Sequence, residues 1–276
     1  MSRALVAPDG FEISRRADVT LVAAASAIEE LRGAGFERPW TWNQYLERAP
    51  LDAAGRGATA RVVLSSGLAL RVKRLRRGGW TARLWRGRFA GSRRALDNLR
   101  VPLEARRRGV PTPAPVALLV QSGGAGLVRA WLAVEELDGA RDLRSRIASR
   151  VPPTPEEFAA AVGAVRRMHD AGVEHRDLNL GNLLVVGDRE VAAFVVDLDG
   201  GRLHPDPLPV ALRRRALHRL ERSYVKCRHP HPARDDVRDS FYALYAGDDD
   251  SLRGLLERGR RAARVRIGLH RLGWRR

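Results

Sequence analysis

Two short stretches of the chain carry side chains fitted for chemistry. The first is His175-Arg176-Asp177-Leu178-Asn179-Leu180-Gly181-Asn182, and the second is Val195-Val196-Asp197-Leu198-Asp199-Gly200. Together they supply a loop carboxylate (Asp177), an amide five residues on (Asn182) and carboxylates at the end of an apolar run (Asp197, Asp199). This spacing suits phosphoryl transfer. Asp177 would orient and deprotonate an attacking hydroxyl, while Asn182 and Asp197 would hold the divalent metal that bridges nucleotide phosphates. Mg2+ takes hard oxygen donors, which these side chains offer. Asp199 is a further candidate ligand, and it would serve equally to cap the turn after it. His175 reads as a residue that fixes the loop, and His169 as a brace for it.

The same reaction needs positive charge and backbone donors around the phosphates. Gly55-Arg56-Gly57 is a glycine-bearing turn whose backbone can approach phosphates closely. Hairpins use such glycines for turning alone, so more weight falls on Lys73, at the end of the strand predicted over 68–72. In a chain with 50 Lys+Arg, Lys73 and Lys226 are the only lysines. A lysine at that place pairs with the α- and β-phosphates. Its acidic partner is expected on a helix over 92–108, where Asp97 and Glu104 are candidates and Asn98 stands near the expected place. Pro102 disturbs that helix interior. Glu135 and Leu137 follow a strand predicted over 127–134 and mark a hinge whose backbone groups would read adenine.

The elements around these residues follow from local pattern. Thr154 with Glu157 three residues on predicts a capped helix start, and Phe158, Ala161, Val162, Val165 and Met168 recur at helical spacing up to Gly172. That helix delivers the chain into the Asp177 loop. Strands over 183–186 and 192–196 flank the Gly187-Asp188 turn and carry Asn182 and Asp197 at opposite ends of a hairpin, a geometry that can bring both near one divalent ion. A basic helix is predicted over 212–228. Nearer the start, residues 17–31 predict a helix closing at Gly33, with Trp40, Trp42 and Tyr45 as an aromatic cluster. The expected division is an extension over 1–50, a sheet-rich lobe over 51–134, and a helical lobe over 135–276 with a basic tail.

Composition bounds the setting. The 276 residues hold a formal net charge of +18, carried mostly by arginine, which predicts an anionic partner such as a phosphorylated glycolipid or an anionic membrane face. No aromatic-basic reader motif accompanies the charge, so nucleic acid is not expected. One cysteine, Cys227, fits a reducing compartment. No apolar run approaches the length of a membrane span, and no signal pattern opens the chain. A cytoplasmic protein, peripheral to a membrane through residues 258–276, is the expectation.

With these residues placed, the chain resembles the lipopolysaccharide core kinases, the 3-deoxy-D-manno-octulosonic acid (Kdo) and heptose kinases. The resemblance spans roughly 52–230. It rests on Arg56-Gly57-Ala58, Gly109-Val110-Pro111-Thr112-Pro113, Leu137-Asp138-Gly139-Ala140-Arg141-Asp142-Leu143, Met168-His169-Asp170-Ala171-Gly172, the Asp177 loop, and Leu217-His218-Arg219-Leu220-Glu221-Arg222-Ser223. It implies a two-lobed α+β fold of protein-kinase type, with an antiparallel-sheet N-lobe and a mostly helical C-lobe. It further implies ATP and Mg2+ as cofactors and a sugar hydroxyl on the lipid A inner core as acceptor. Asp177 would then be the base, Asn182 and Asp197 metal ligands, and Lys73 the phosphate clamp. Asn98 in place of an acid departs from the pattern. A kinase for another small molecule or protein, and a nucleotide-binding pseudokinase scaffold, remain open alternatives at this point.

Overall fold

The computed structural model describes residues 5–49, 59–75, 89–149, 153–187, 190–198, 200–227 and 235–257. The chain divides into two compact units, Met1–Glu104 with Pro113–Glu136, and Ala105–Thr112 with Leu137–Arg276.

The first unit is built on an antiparallel sheet of β1 (Phe11–Arg16), β2 (Val19–Ala24), β3 (Thr59–Val63), β4 (Ala69–Arg74), β5 (Phe89–Ala90), β6 (Pro115–Ser122) and β7 (Leu127–Glu135). The order is β1-β2-β6-β7-β4-β3, with β5 paired to β7. Both faces are covered, which is why β6 is apolar at nearly every position rather than alternating. On one face Leu21, Leu70, Val72, Leu119 and Trp131 pack with α1 (Ile28–Gly33), α2 (Pro39–Arg48) and the buried Phe36. On the other, Val22, Leu118, Val120 and Leu132 meet Ala95, Leu96 and Leu99 of α3 (Ser92–Arg107).

Residues 17–31, predicted as one helix, are instead β2 followed by the short α1. The alanine-rich run suggested helix, but Val19, Leu21 and Ala23 face one core and Val22 the other, and β2 pairs with β6 from Val19 opposite Gln121 to Ala23 opposite Ala117. Two-sided burial decides the matter. Residues 11–48 thus add strands to the sheet and helices to one of its faces. Trp42 is fully buried and its indole N–H donates to the Phe36 carbonyl (2.8 Å), whereas Trp40 is 63% exposed and stands outside that cluster. α3 runs through Pro102, which forfeits one backbone bond.

The second unit holds α4 (Leu143–Ala148), α5 (Pro155–Asp170), α6 (Val210–Lys226) and α7 (Asp235–Ala246). Its strands are β8 (Arg141–Asp142), β9 (Val173–Glu174), β10 (Leu183–Val186), β11 (Ala192–Val195) and β12 (Arg202–Leu203); β10 joins β11 and β8, and β9 joins β12. The predicted capping box at Thr154 is formed in both directions. Its glutamate does more than cap, because Glu157 is buried and also accepts from Arg146 (2.7 Å), itself largely buried.

The end of α5 is tied to the following helices by a polar cluster. His169 Nδ1 lies 2.7 Å from the Tyr245 hydroxyl, and Arg213 donates to that hydroxyl, to Asp170 and to the Leu208 carbonyl. Arg213 can only donate, so the Tyr245 oxygen accepts from it while sharing a second hydrogen bond with His169. His169 therefore braces α5 against Tyr245 rather than bracing the Asp177 loop, as its sequence position suggested. Burial, with Arg213 adding to it, pushes His169 down to about 3, and burial lifts Tyr245 to about 12.

Two outcomes are expected. Glu157→Ala removes a buried acceptor from Arg146 and one half of the capping box at Thr154 and should cost about 1–3 kcal/mol, read as a lower urea midpoint at unchanged slope. A loss below about 0.5 kcal/mol would contradict the buried pair. The second concerns pH. His169 and His175 are both held below 6.5, so on acidification the unfolded chain takes up protons first and stability falls with pH. Between pH 6.5 and 5 the loss from His169 should be about 1–2 kcal/mol, with His175 acting in the same direction, and His169→Gln should flatten the slope. Stability that is level or rises across that window would contradict it.

Candidate active site

The Asp177 loop is assembled from its own amides. Asn179 Oδ1 accepts from Gly181 N–H (3.0 Å), an Asx turn that starts the 3-10 turn Leu180–Asn182. The Asp177 carbonyl accepts twice, from Asn179 Nδ2 (2.9 Å) and Asn182 Nδ2 (3.0 Å). Around this core the loop is held from outside. Leu180 N–H donates to Ser223 Oγ on α6 (3.2 Å), Arg144 reaches Asn179 Oδ1 (3.3 Å), and Arg219 of α6 donates to the Arg176 carbonyl.

His175 joins the two motif stretches. It is 2% exposed; its Nδ1 accepts from the Asp177 N–H (3.2 Å), and its Nε2 lies 3.0 Å from the Val196 carbonyl. A backbone N–H can only donate and a carbonyl only accept, so the proton sits on Nε2. Asn182 Nδ2, 3.5 Å from Nε2, is then a contact between two donors. Burial keeps the imidazole below its usual value; the bond to Val196 and the charges of Asp197 and Asp177 act the other way but do not prevail. Both carboxylates are thus close enough to act on one buried ring.

Asn182 and Asp197 stand side by side at the open end of the hairpin, not at its opposite ends as expected, because one precedes the first strand and the other follows the second. Leu183 pairs with Val195, and Val196 N–H donates to the Asn182 carbonyl (2.9 Å). Asp197 has φ +61°, a left-handed conformation that turns the chain off the strand and that Asp and Asn tolerate better than most residues. Asn182 is buried, with its amide nitrogen spent on Asp177, which leaves its oxygen as the donor it can offer. Asp177 is exposed, and among the described residues its carboxylate enters no hydrogen bond or ion pair; Arg219 feels its charge.

The remaining predicted residues are placed as follows. Lys73 is half-buried on β4, opposite Thr59 of β3 and Leu132 of β7. On α3, Asn98 is buried with its amide folded back onto the Arg94 and Ala95 carbonyls (3.0 and 3.2 Å), Asp97 is exposed and Glu104 half-buried. Glu135 N–H donates to the Ala114 carbonyl (2.8 Å), and the Leu137 carbonyl accepts from Ala140 (3.1 Å). Gly55, Arg56, Gly57 and Asp199 lie outside the described residues. Sequence reasoning placed Arg219 and Ser223 in a family-like segment but gave them no role, because their contacts cross from α6 to the loop. It missed the Arg71–Glu136 ion pair, in which both carboxylate oxygens are used.

Comparison with known proteins adds to this geometry. A protein catalogued as 3-deoxy-D-manno-octulosonic acid kinase from Xanthomonas euvesicatoria pv. vesicatoria is 33% identical over 215 residues, covering 75% of this chain and 80% of its own. The protein of that name from Stenotrophomonas maltophilia is 30% identical over 222 residues, covering 76% and 83%. Among solved structures, WaaP in complex with acyl carrier protein superposes with a TM-score of 0.53 at 22% identity, over 88% of this chain and 98% of that one. That likeness shows the fold, the α+β protein-kinase type expected from the sequence. The family profile "Lipopolysaccharide kinase (Kdo/WaaP) family" matches residues 41–245, Asp177, Asn182 and Asp197 among them, and with one-third identity to curated kinases over three quarters of its length the chain belongs to that family.

Proposed function

We propose that this protein transfers the γ-phosphoryl group of ATP to a sugar hydroxyl of the lipopolysaccharide inner core, on Kdo or heptose attached to lipid A. The observation that carries the reading is the exposed carboxylate of Asp177, without a hydrogen bond or ion pair among the described residues, on a loop that His175 locks to Val196 next to Asp197. The acceptor hydroxyl gives its proton to Asp177 as its oxygen bonds to the γ-phosphorus. The bond from that phosphorus to the β–γ bridging oxygen breaks, and ADP departs. Chemistry of this kind asks the protein for placement and charge neutralisation more than for covalent work.

The donor set fits Mg2+. Asn182 and Asp197 offer an amide oxygen and a carboxylate, with Asp199 as a further candidate. Among the described residues no group of three His, Cys, Asp or Glu forms a cage, and Mg2+ on nucleotide phosphates needs none, since it keeps water and phosphate oxygens as its other partners. When bound, the ion neutralises charge that builds on the phosphates. Lys73 would clamp the α- and β-phosphates, and the Gly55-Arg56-Gly57 turn would cover them. Along the hinge, the groups spent on Ala114 and Ala140 leave the Glu135 carbonyl and the Leu137 N–H for the adenine edge.

Among the described residues no helix is long and apolar enough to cross a membrane. A net charge of +18 supports work at the anionic cytoplasmic face of the inner membrane, where the glycolipid acceptor is made available. The basic tail, residues 258–276, lies outside the described residues.

Purified protein with radiolabelled ATP, Mg2+ and Kdo-lipid A should label the lipid. Asp177→Asn should lower kcat about 10²–10⁴-fold with little change in circular dichroism, because the side chain is exposed. Asp197→Asn keeps a residue that accepts positive φ, so the fold should hold while Mg2+-dependent turnover is lost. Wild-type rates in Asp177→Asn, or an inactive wild type beside an active control enzyme, would overturn the reading.

A further inference from the structure

The cations of α6 are not spread evenly. Arg215, Arg219, Arg222 and Lys226 recur at i, i+4, i+7 and i+11, which places them along one stripe of the helix. The acid of this helix, Glu221, points elsewhere, buried and accepting from the Tyr242 hydroxyl (3.1 Å). Solvated basic stripes are common, but the upper end of this one has a particular address. Arg219 is half-buried and donates one guanidinium N–H to the Arg176 carbonyl, immediately before Asp177. Arg215 and Arg176 are both exposed, and both lie close enough to act on Arg219 by charge, as do Asp177 and Glu174.

This grouping is costly on its own terms. Three arginines share a small region with two carboxylates, one of which, Asp177, takes no hydrogen bond or ion pair among the described residues. Of its five donors, the Arg219 guanidinium spends one on a hydrogen bond among the described residues. An anion lying beside Asp177 would satisfy the remaining fork and offset the repulsion between the cations. The position also has a side. His175 and the Asn182 backbone bond to Val196, next to Asp197, where the metal and phosphates would belong, whereas Arg219 reaches the loop from α6 with Arg215 beside it on the same helix. An anion on the α6 side therefore comes with the acceptor.

We propose that Arg219 and Arg215, with Arg176, form an acceptor subsite that binds the carboxylate of the acidic sugar and so presents its hydroxyl to Asp177. The inference rests on the phosphotransferase reading above and adds to it the group that selects the acceptor. A planar guanidinium matches a carboxylate with two parallel bonds, which fixes orientation as well as position. Arg219, steadied by the Arg176 carbonyl, supplies the orienting fork, and Arg215, one turn away, adds charge.

The test measures transfer from ATP to Kdo-lipid A and to the same lipid with its Kdo carboxylates converted to neutral amides. Arg219→Gln, Arg219→Lys and Arg215→Gln are compared with the intact protein. Removing a charged hydrogen-bond partner should raise the acceptor KM roughly ten- to hundredfold in Arg219→Gln while the KM for ATP stays within about twofold. Arg219→Lys should recover only part, because a lysine lacks the fork. Amidation should weaken the acceptor for the intact protein and cost Arg219→Gln little more. Arg215→Gln alters an exposed side chain and keeps the test usable should Arg219→Gln fold poorly; its acceptor KM should rise less but in the same direction. A fall in kcat at unchanged acceptor KM, or equal preference for acid over amide in all variants, would overturn the subsite while leaving the phosphotransferase reading intact. No labelling of either lipid by the intact protein would overturn both.

Discussion

One buried imidazole sets the geometry on which the site depends. His175 is neutral, carries its hydrogen on Nε2, and holds the Val196 carbonyl with one nitrogen and the Asp177 amide with the other. A protonated ring would lose the acceptor that Asp177 N–H requires, and an unburied ring would let water compete for both bonds. Desolvation thus acts as a structural device, because it keeps the ring in the one state that can join the strand end to the loop. The same contacts explain why Asn182 turns its nitrogen inward to the Asp177 carbonyl and presents an oxygen instead. Hydrogen bonds through His175, the Asn182 amide nitrogen and the Val196 backbone thus tie the loop to the hairpin end, and among the described residues the Asp177 carboxylate enters no hydrogen bond or ion pair.

Charge is organised around this lock by depth. Arg213, buried on the inner side of α6, is consumed by Asp170, Tyr245 and a carbonyl, and serves only to hold helices together. Arg219, two turns along, is half-buried and spends a single donor on the loop. Two arginines of one helix therefore take different parts because of which face they occupy. In the sheet unit the ion pair Arg71–Glu136 fastens β4 to the end of β7, and Glu136 N–H bonds to Ala69, so the strand bearing Lys73 is anchored where the hinge begins. On the proposed reading, Lys73 would meet phosphates and Arg219 an acidic sugar.

What could be read from the sequence followed from how local its cause was. The Asp177 loop was legible because the chemistry requires given residue types at given intervals, and the start of α5 because Thr154 and Glu157 satisfy each other within one turn. The hairpin carrying Asn182 and Asp197 was legible from two β-branched runs around a glycine turn. β2 was not, since a strand buried on both faces loses alternation, and its alanines pointed to helix. Nor were the contacts from α6, because Ser223 and Arg219 meet the loop only after the chain has passed through β10, β11 and β12. His169 shows the intermediate case: its burial was foreseeable, but its partner Tyr245, on α7, was not. The acidic partner sought for Lys73 is a further instance, as Asn98 folds onto its own helix instead of reaching outward.

The central claim is that Asn182 and Asp197 face the metal while Asp177 faces the acceptor. The most direct measurement is the anomalous scattering of Mn2+ in crystals grown with a non-hydrolysable ATP analogue. The account predicts a peak bonded to the Asp197 carboxylate and the Asn182 amide oxygen, with Asp177 outside its coordination sphere. A peak bonded to Asp177, or one that touches neither Asn182 nor Asp197, would contradict it.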